Sequence, residues 1–358
     1  RALRSMVPGR TLLFAAQALK RYPKDSPLWT RMLKQGVDYL TGPISDSQDG
    51  AWYWEVGTSG QPDAGRKDEK HLYGISFAIY ALSAASLSTN DPNVLQIALG
   101  GFEWLEKHAH DAKNGGYYEA YARNGDLILT APSPGMTDTI GTQYGLKSMN
   151  SHIHILESLT ELFHASNGNA KVRVRLEEVF HVVRDRVFQK SGYLGLYFNP
   201  DWTCVSNVDS FGHDIETAFL LVEAATALGM PNETLTWQVA RQLVDHALKF
   251  GWDEEHGGFY DSGTPEGKVT KEDKVWWTQA EGLNALKLMA EKFGKTTDKY
   301  VKAYAKQWDF INRFQVDHEF GGWYTEVETD GKPRKNLSKS DAWKDPYHQG
   351  RALFHLSR

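Results

Sequence analysis

Residues 114–121 read Asn-Gly-Gly-Tyr-Tyr-Glu-Ala-Tyr, and the same glycine-then-aromatic signature returns as DGAWYW at 49–54, SGYLGLYF at 191–198, HGGFYD at 256–261 and FGGWYTE at 320–326. Trp52, Tyr117, Tyr193, Phe259 and Trp323 take equivalent places, separated by 65, 76, 66 and 64 residues. Self-similarity at a near-constant period marks a repeat architecture. Glycine permits the tight backbone and the aromatics form short strand-like turns, so each occurrence punctuates one unit. Each unit then holds two helices of different character. The first is poor in charge: residues 212–228 carry only Asp214, Glu216 and Glu223. The second is amphipathic: in residues 171–188, Lys171, Arg173, Arg175, Glu177, Glu178, Arg184, Asp185 and Arg186 leave an apolar stripe expected at Val174, Val179, Val182 and Val183. Such alternation predicts inner helices facing protein and outer helices facing water.

Helices are expected near 10–21, 27–41, 72–86, 92–109, 148–166, 171–188, 212–228, 233–250, 275–293, 297–314 and 343–356. A closed double ring of six helical hairpins needs one more. The fold expected is therefore an all-α (α/α)6 barrel with short β-like turns, its first outer helix short, unrecognised or upstream of Arg1. No long linker or low-complexity stretch divides the chain, so one domain over 1–358 is expected. An open α-solenoid is the alternative.

Composition narrows the function. A net charge of -5 without long like-charge blocks argues against a nucleic-acid partner, because counterion release needs a concentrated basic surface. No segment approaches the roughly 18 uninterrupted apolar residues of a membrane span, and residues 1–20 are too polar for a signal peptide. A soluble protein without nucleic-acid or membrane partners is expected, a monomer or homodimer acting on a neutral or small polar substrate. The single Cys204 excludes an intrachain disulfide and a multi-cysteine metal site, and fits a reducing cytoplasm. The 12 Trp, 16 Tyr and 16 Phe mostly fill core, but aromatic faces also pack on the C–H faces of sugars.

Chemistry is expected where inner helices carry polar residues that a packed interior would exclude. In KSMNSHIHILE, Asn150 and His154 share a face, with His152 turned elsewhere. In FGHDIETAF, His213 and Glu216 share one; in VWWTQAEGLN, Trp277, Glu281 and Asn284 form a stripe; in WKDPYHQGR, Trp343 and His348 flank Pro346, which breaks or starts a helix. Any one of these histidines alone reads as a hydrogen-bonded core residue. Together, on the inward helices of a ring, the stripes would converge. His152, His154 and His213 resemble a transition-metal set, yet a His-x-His pair on a helix points to different faces. An inverting glycoside hydrolase could use Glu216 and Glu281 as acid and base, but has no need of imidazoles. Proton abstraction next to a carbonyl does want two imidazoles, each able to serve as acid or base near neutrality.

Several strings carry a resemblance. MNSHIHILES (149–158) resembles the Met-Asn-Thr-His-Leu-His-Val-Leu-Glu segment of cellobiose 2-epimerases, and FGHDIE (211–216), WWTQAE (276–281) and WKDPYH (343–348) resemble their Gly-His-Asp-Ile-Glu, Trp-Trp-x-Gln-Ala-Glu and Trp-Lys-x-Pro-Tyr-His motifs. KHLYGISFAIYALS (70–83) resembles their third-helix region, and PGRTLLFAA (8–16) more loosely their arginine-containing first helix. The likeness runs in order from about residue 4 to 356 and points to the N-acylglucosamine 2-epimerase superfamily, within it to the cellobiose and mannobiose 2-epimerases. It implies a cofactor-independent, metal-free isomerase that inverts C2 of a reducing-end sugar, glucose to mannose or back, after ring opening. Residue by residue, it implies His213 and His348 as the acid/base pair on opposite sides of C2, with His154 beside them for hydrogen bonding and ring opening. Asn150 and Arg10 would hold sugar oxygens, Arg10 stabilising the developing enediolate. Glu216 and Glu281 would orient imidazoles and bind hydroxyls, Tyr73 would contact the carbonyl end, and Trp277 and Trp343 would stack on sugar rings.

Two departures bear on substrate size. Phe219 stands where these epimerases usually carry Trp three residues after the motif glutamate, and Leu13 where the first helix commonly shows Trp. Both shrink an aromatic surface. The alternatives kept are a monosaccharide 2-epimerase or aldose–ketose isomerase acting on mannose, glucose or N-acetylglucosamine, and, further off, a glycoside hydrolase or a non-catalytic sugar-binding barrel.

Overall fold

The computed structural model describes residues 3–4, 6–57, 59–62 and 69–357. Among them lie eleven α-helices: α1 (Met6–Arg21), α2 (Ser26–Thr41), α3 (Leu72–Thr89), α4 (Pro92–His108), α5 (Met149–Ala165), α6 (Ala170–Val182), α7 (Phe211–Ala227), α8 (Thr234–Phe250), α9 (Trp276–Phe293), α10 (Lys299–Phe310) and α11 (Tyr347–Leu356). The strands are two or three residues long and pair antiparallel, for example Lys70–His71 with Ala120–Tyr121 and Lys147–Ser148 with Tyr197–Phe198. The chain divides into two compact units. Unit one comprises the residues up to Val183 together with Tyr197–Val205, and unit two comprises Arg184–Leu196 together with the residues from Ser206 on. In unit one, α3 packs against α1, α4 and α5; in unit two, α9 packs against α7, α10 and α11, and α7 against α8.

The expected alternation of buried and surface helices is present. In α3 every residue from Leu72 to Ser86 is buried, whereas α2 buries only Leu33 and Leu40. α3 has a mean hydropathy of 1.3 and the length to cross a membrane, but 83% of it is buried within the protein, as in a core helix. α1 starts at Met6 and α3 ends at Thr89, each longer than expected, and three other boundaries fall short of expectation. The helices expected over 171–188 and 297–314 each end in a π-helical turn, Val183–Val187 and Ile311–Gln315, so the regular helix is shorter. α11 begins at Tyr347 because Pro346 serves as its N-cap, which leaves Trp343 in the preceding loop. Of the stripe expected in α6 and the turn after it, Val179, Val182 and Val183 are buried, but Val174 is 61% exposed, and Val172 and Leu176 face inward in its stead, at helical spacing.

The repeated turn has a common construction. Asp46, Asp111, Asp253 and Asp317 each accept, at Oδ1, the main-chain N–H groups two and three residues on. Each main-chain oxygen accepts the N–H of the glycine four residues on, Gly50, Gly115, Gly257 or Gly321. That glycine has φ between 75° and 78°, the left-handed region that disfavours a Cβ. A lysine completes each clasp: Lys70, Lys147, Lys274 and Lys339 donate to the aspartate's Oδ2 and to the glycine carbonyl. The first three lysines are fully buried just before α3, α5 and α9 and so tie each turn to the helix that follows. Burial opposes ionisation of Asp46, but hydrogen bonds from Arg123 and Lys70 hold its carboxyl well below the usual carboxylate range.

Candidate active site

In unit two, the first turn of α7 carries His213, whose Nδ1 lies 2.7 Å from the hydroxyl of Ser210, the N-cap residue. Gly212 precedes it because nothing larger fits: a Cβ there would stand 2.4 Å from the Trp277 indole of α9. The indole consequently lies against the His213 ring, centroids 4.7 Å apart, and the His348 ring is also its neighbour, at 5.6 Å. Two imidazoles, from α7 and α11, thus both lie against one indole from α9. One helical turn past Trp277, Glu281 accepts from His348 Nδ1 at 2.7 Å. The same Glu281 oxygen accepts from Arg351 Nη2 at 2.6 Å, and that nitrogen also donates to Glu216 Oε1 at 2.7 Å. Arg351 Nη1 donates to the Tyr347 hydroxyl at 2.9 Å. Glu216, Glu281, His348 and Arg351 are all buried, so the guanidinium compensates two carboxylates that water does not reach.

The sequence expectations therefore meet in part. His213, Trp277, Glu281 and His348 come together, and Glu216 joins them through Arg351; its own oxygen is 3.8 Å from His348 Nδ1. Where glutamates were expected to orient both imidazoles, Glu281 holds His348 while Ser210 holds His213. Phe219 is buried, its ring 4.9 Å from that of His355, with the Arg351 guanidinium 5.8 Å from the ring. Asn284, next along the α9 stripe, meets His355 Nδ1 at 2.6 Å. Trp343 is 39% exposed in the loop before α11. Arg351 escaped the sequence reading, although it lies three residues after His348 and so on the same helical face.

Unit one brings Arg10, Tyr73 and His154 together. Arg10 Nη2 donates to the Tyr73 hydroxyl at 2.6 Å and its guanidinium lies 4.4 Å over the Phe77 ring. The His154 ring meets Tyr73 edge-on at 5.1 Å and Phe77 at 4.8 Å, with its Nδ1 3.3 Å from Glu157 Oε2. Asn150 precedes His154 by one turn of α5 and is half-buried. His71, just before α3, fixes the start of that helix: its Nδ1 accepts the Tyr73 N–H at 3.1 Å and its Nε2 meets Asp138 at 2.9 Å. Burial works against charge on His71, yet the neighbouring Asp138 carboxylate prevails and raises its pKa. His152 has a different part from His154, as the helical geometry requires. Its Nδ1 donates to Ser148 O at 2.7 Å and its Nε2 accepts the Tyr117 N–H at 3.1 Å; burial pushes this imidazole down to about 3.

Three clusters of carboxylates and imidazoles fall within 4.8 Å, namely His71/Glu119/Asp138, Asp209/Asp214/His246 and Glu216/Glu281/His348. In the third, the Arg351 guanidinium already bridges both carboxylates and takes the position a cation would need. In the first, Glu119 accepts from Ser148 and Ser151, while both His71 nitrogens are engaged. Neither donor set suits a metal. Paired imidazoles beside a carboxylate–guanidinium cluster suit proton transfer.

The profile of N-acylglucosamine 2-epimerase (GlcNAc 2-epimerase) matches residues 129–352. A cellobiose 2-epimerase of Bacteroides fragilis is 30% identical over 330 residues, which cover 92% of this chain and 81% of that protein. The chain belongs to the N-acylglucosamine 2-epimerase family. A D-mannose isomerase of Marinomonas mediterranea is 26% identical over 345 residues, covering 90% of this chain and 78% of its own. The solved cellobiose 2-epimerase of Bacillus thermoamylovorans superposes with a TM-score of 0.88 at 26% identity, over 99% of this chain and 88% of that one. The fold class is the (α/α)6 barrel expected from the repeat, and the N-acylglucosamine 2-epimerase family places the chain among epimerases and isomerases.

Proposed function

We propose that the protein is a sugar 2-epimerase in which His213 and His348 exchange the C2 proton of a reducing-end residue. The pair of imidazoles gathered beside the Trp277 indole supports this reading above all. The sugar ring opens, and the freed aldehyde acidifies C2–H. One imidazole takes the proton as the C2–H bond breaks, the electron pair passing into an enediolate, and the other imidazole delivers a proton to the opposite face. With Nδ1 engaged by Ser210 or Glu281, Nε2 is the nitrogen we assign to transfer in each ring. Trp277 carries the reacting sugar by stacking. Arg10, Tyr73, Asn150 and His154 are assigned to sugar oxygens and ring opening, and the whole chain to one catalytic domain. No metal takes part: activity is expected to survive exhaustive chelation and dialysis.

The substrates we favour are β-1,4-linked disaccharides, cellobiose or mannobiose, with Trp343 as the platform for the second ring. The relatives named cellobiose 2-epimerase support this choice. The test is a proton spectrum of each candidate sugar incubated with enzyme in deuterated water. Loss of the C2 proton with appearance of the 2-epimer supports the reading, and ketose as the main product would move it to the aldose–ketose isomerases, as the D-mannose isomerase relative suggests. No exchange with any of the sugars would refute it.

A further inference from the structure

The third turn of the chain lacks the aspartate–lysine clasp, and what replaces it lies beside His213. Lys147 stands five residues before His152 and Lys274 five before Gln279; His152 and Gln279 accept the turn N–H of Tyr117 and Phe259. In α7 the residue making that contact is Asp214, whose Oδ1 accepts the Leu194 N–H at 2.9 Å, and five residues before it stands Asp209, not lysine. The cationic place is thus taken by an acid. Asp209 is held by a two-way main-chain pairing with Gly263, and its Oδ2 accepts from His246 Nε2 of α8 at 2.7 Å. Asp209 and Asp214 have no solvent exposure, and no donor reaches Asp209 Oδ1 or Asp214 Oδ2. An oxygen of each carboxyl group and a ring nitrogen of His246 all lie within 4.8 Å of one another. Two buried carboxylates this close, with one imidazole and, among the described residues, neither lysine nor arginine paired with them, disfavour a second negative charge, so one of them holds a proton.

We propose that Asp214 is a positioning residue for His213: a neutral carboxylic acid that donates its O–H to Asp209 and takes the Leu194 N–H on its other oxygen. Asp209 has the imidazole as its partner, whereas Asp214 has only a main-chain N–H, so the proton belongs to Asp214. Burial and Asp209 both push the Asp214 carboxyl well above its ordinary value. The other packed elements add no charge. The 188–195 turn supplies a main-chain N–H, and α9 sets Trp277 and Thr278 against Gly212. The acid pair thereby fastens the first turn of α7 to the turn, to α8 and to Gly263, and with it the His213 ring. This rests on the assignment of His213 to proton transfer.

The experiment compares wild type, Asp214→Asn, Asp214→Val and His213→Asn as purified full chains. An asparagine amide can donate to Asp209 and accept from Leu194 as the neutral acid does; valine does neither and leaves both groups unsatisfied. Asp214→Asn is expected to rescue at least about a third of the kcat that Asp214→Val loses by roughly tenfold or more, with KM for cellobiose little changed in either. Denaturation between pH 5 and 9 reads the proton directly. The raised group keeps its proton when folded and loses it on unfolding, so wild-type stability falls as pH rises above the ordinary aspartate value of 3.8. Asp214→Asn has no such proton, and the ratio of the two unfolding constants should therefore change with pH, by up to about tenfold per unit until the folded-state carboxyl itself titrates. A pH-independent ratio, an asparagine variant as impaired as the valine one, or one equivalent of tightly bound metal in the wild type would overturn the proposal. Near-normal activity in His213→Asn would instead remove the acid/base reading, while the denaturation series would still decide where the proton is.

Discussion

His348 Nδ1 and Glu281 Oε1 lie 2.7 Å apart in the buried interior of unit two. A carboxylate on Nδ1 fixes the imidazole as the tautomer protonated there and leaves Nε2 for the proposed proton transfer. His348→Asn and His213→Asn are each expected to lower kcat by at least about a hundredfold, the usual worth of a positioned proton-transfer group. Glu281→Gln keeps the shape but loses the charge, and should cost less, about tenfold. Steady-state epimerisation assays on folded variants check all three.

Arg351 Nη2 bridges Glu216 and Glu281, 2.7 Å from one and 2.6 Å from the other. Arg351→Met is expected to destabilise the protein by about 3–5 kcal/mol, because it removes the guanidinium that two buried carboxylates share. Adding Glu216→Gln to Arg351→Met should recover part of that loss. Urea denaturation of the single and double variants gives the coupling.

His152→Gln is expected to retain activity, since Gln279 already makes the same pair of contacts in α9, accepting the Phe259 N–H and donating to the carbonyl four residues back. The substitution should change acid stability. The folded-state value of about 3 is below the ordinary 6.5, so the stability this group contributes is complete above 6.5 and is lost as pH falls toward 3. Below pH 6.5 the glutamine variant should gain on wild type, up to about tenfold in the unfolding constant per pH unit. Thermal melts at pH 7 and pH 5 decide it.

Trp343→Ala should separate substrates. Stacking on an aromatic face is worth about 1 kcal/mol, so kcat/KM for cellobiose is expected to fall several-fold while that for free mannose or glucose stays the same. Equal losses on both would remove Trp343 from the second sugar site.

Much of this was legible in sequence, because helical spacing alone puts Trp277 and Glu281, or Asn150 and His154, on one face. What spacing could not give was contact between helices: the meeting of His348 with Glu281 spans 67 residues, and that of Arg351 with Glu216 spans 135. The lysine clasps stayed hidden for a related reason. Their partners lie 24, 36, 21 and 22 residues apart, with no constant interval to betray them. Val174 misled because the α6 stripe was anchored on the wrong valine, a shift of two residues that turns an inward side chain outward.

Those unequal intervals carry a consequence of their own. The chain between Asp111 and Lys147 is far longer than that between Asp253 and Lys274, yet both lysines grip the same two atoms of the same turn. Once both ends are pinned, the loop closing between them can lengthen at little entropic cost. The segments from turn to lysine are therefore the sites where the fold absorbs inserted or deleted residues. Grafting a loop there alters the surroundings of the following helix N-terminus without moving the helix, which makes these four spans the natural places to redesign which sugars the scaffold admits.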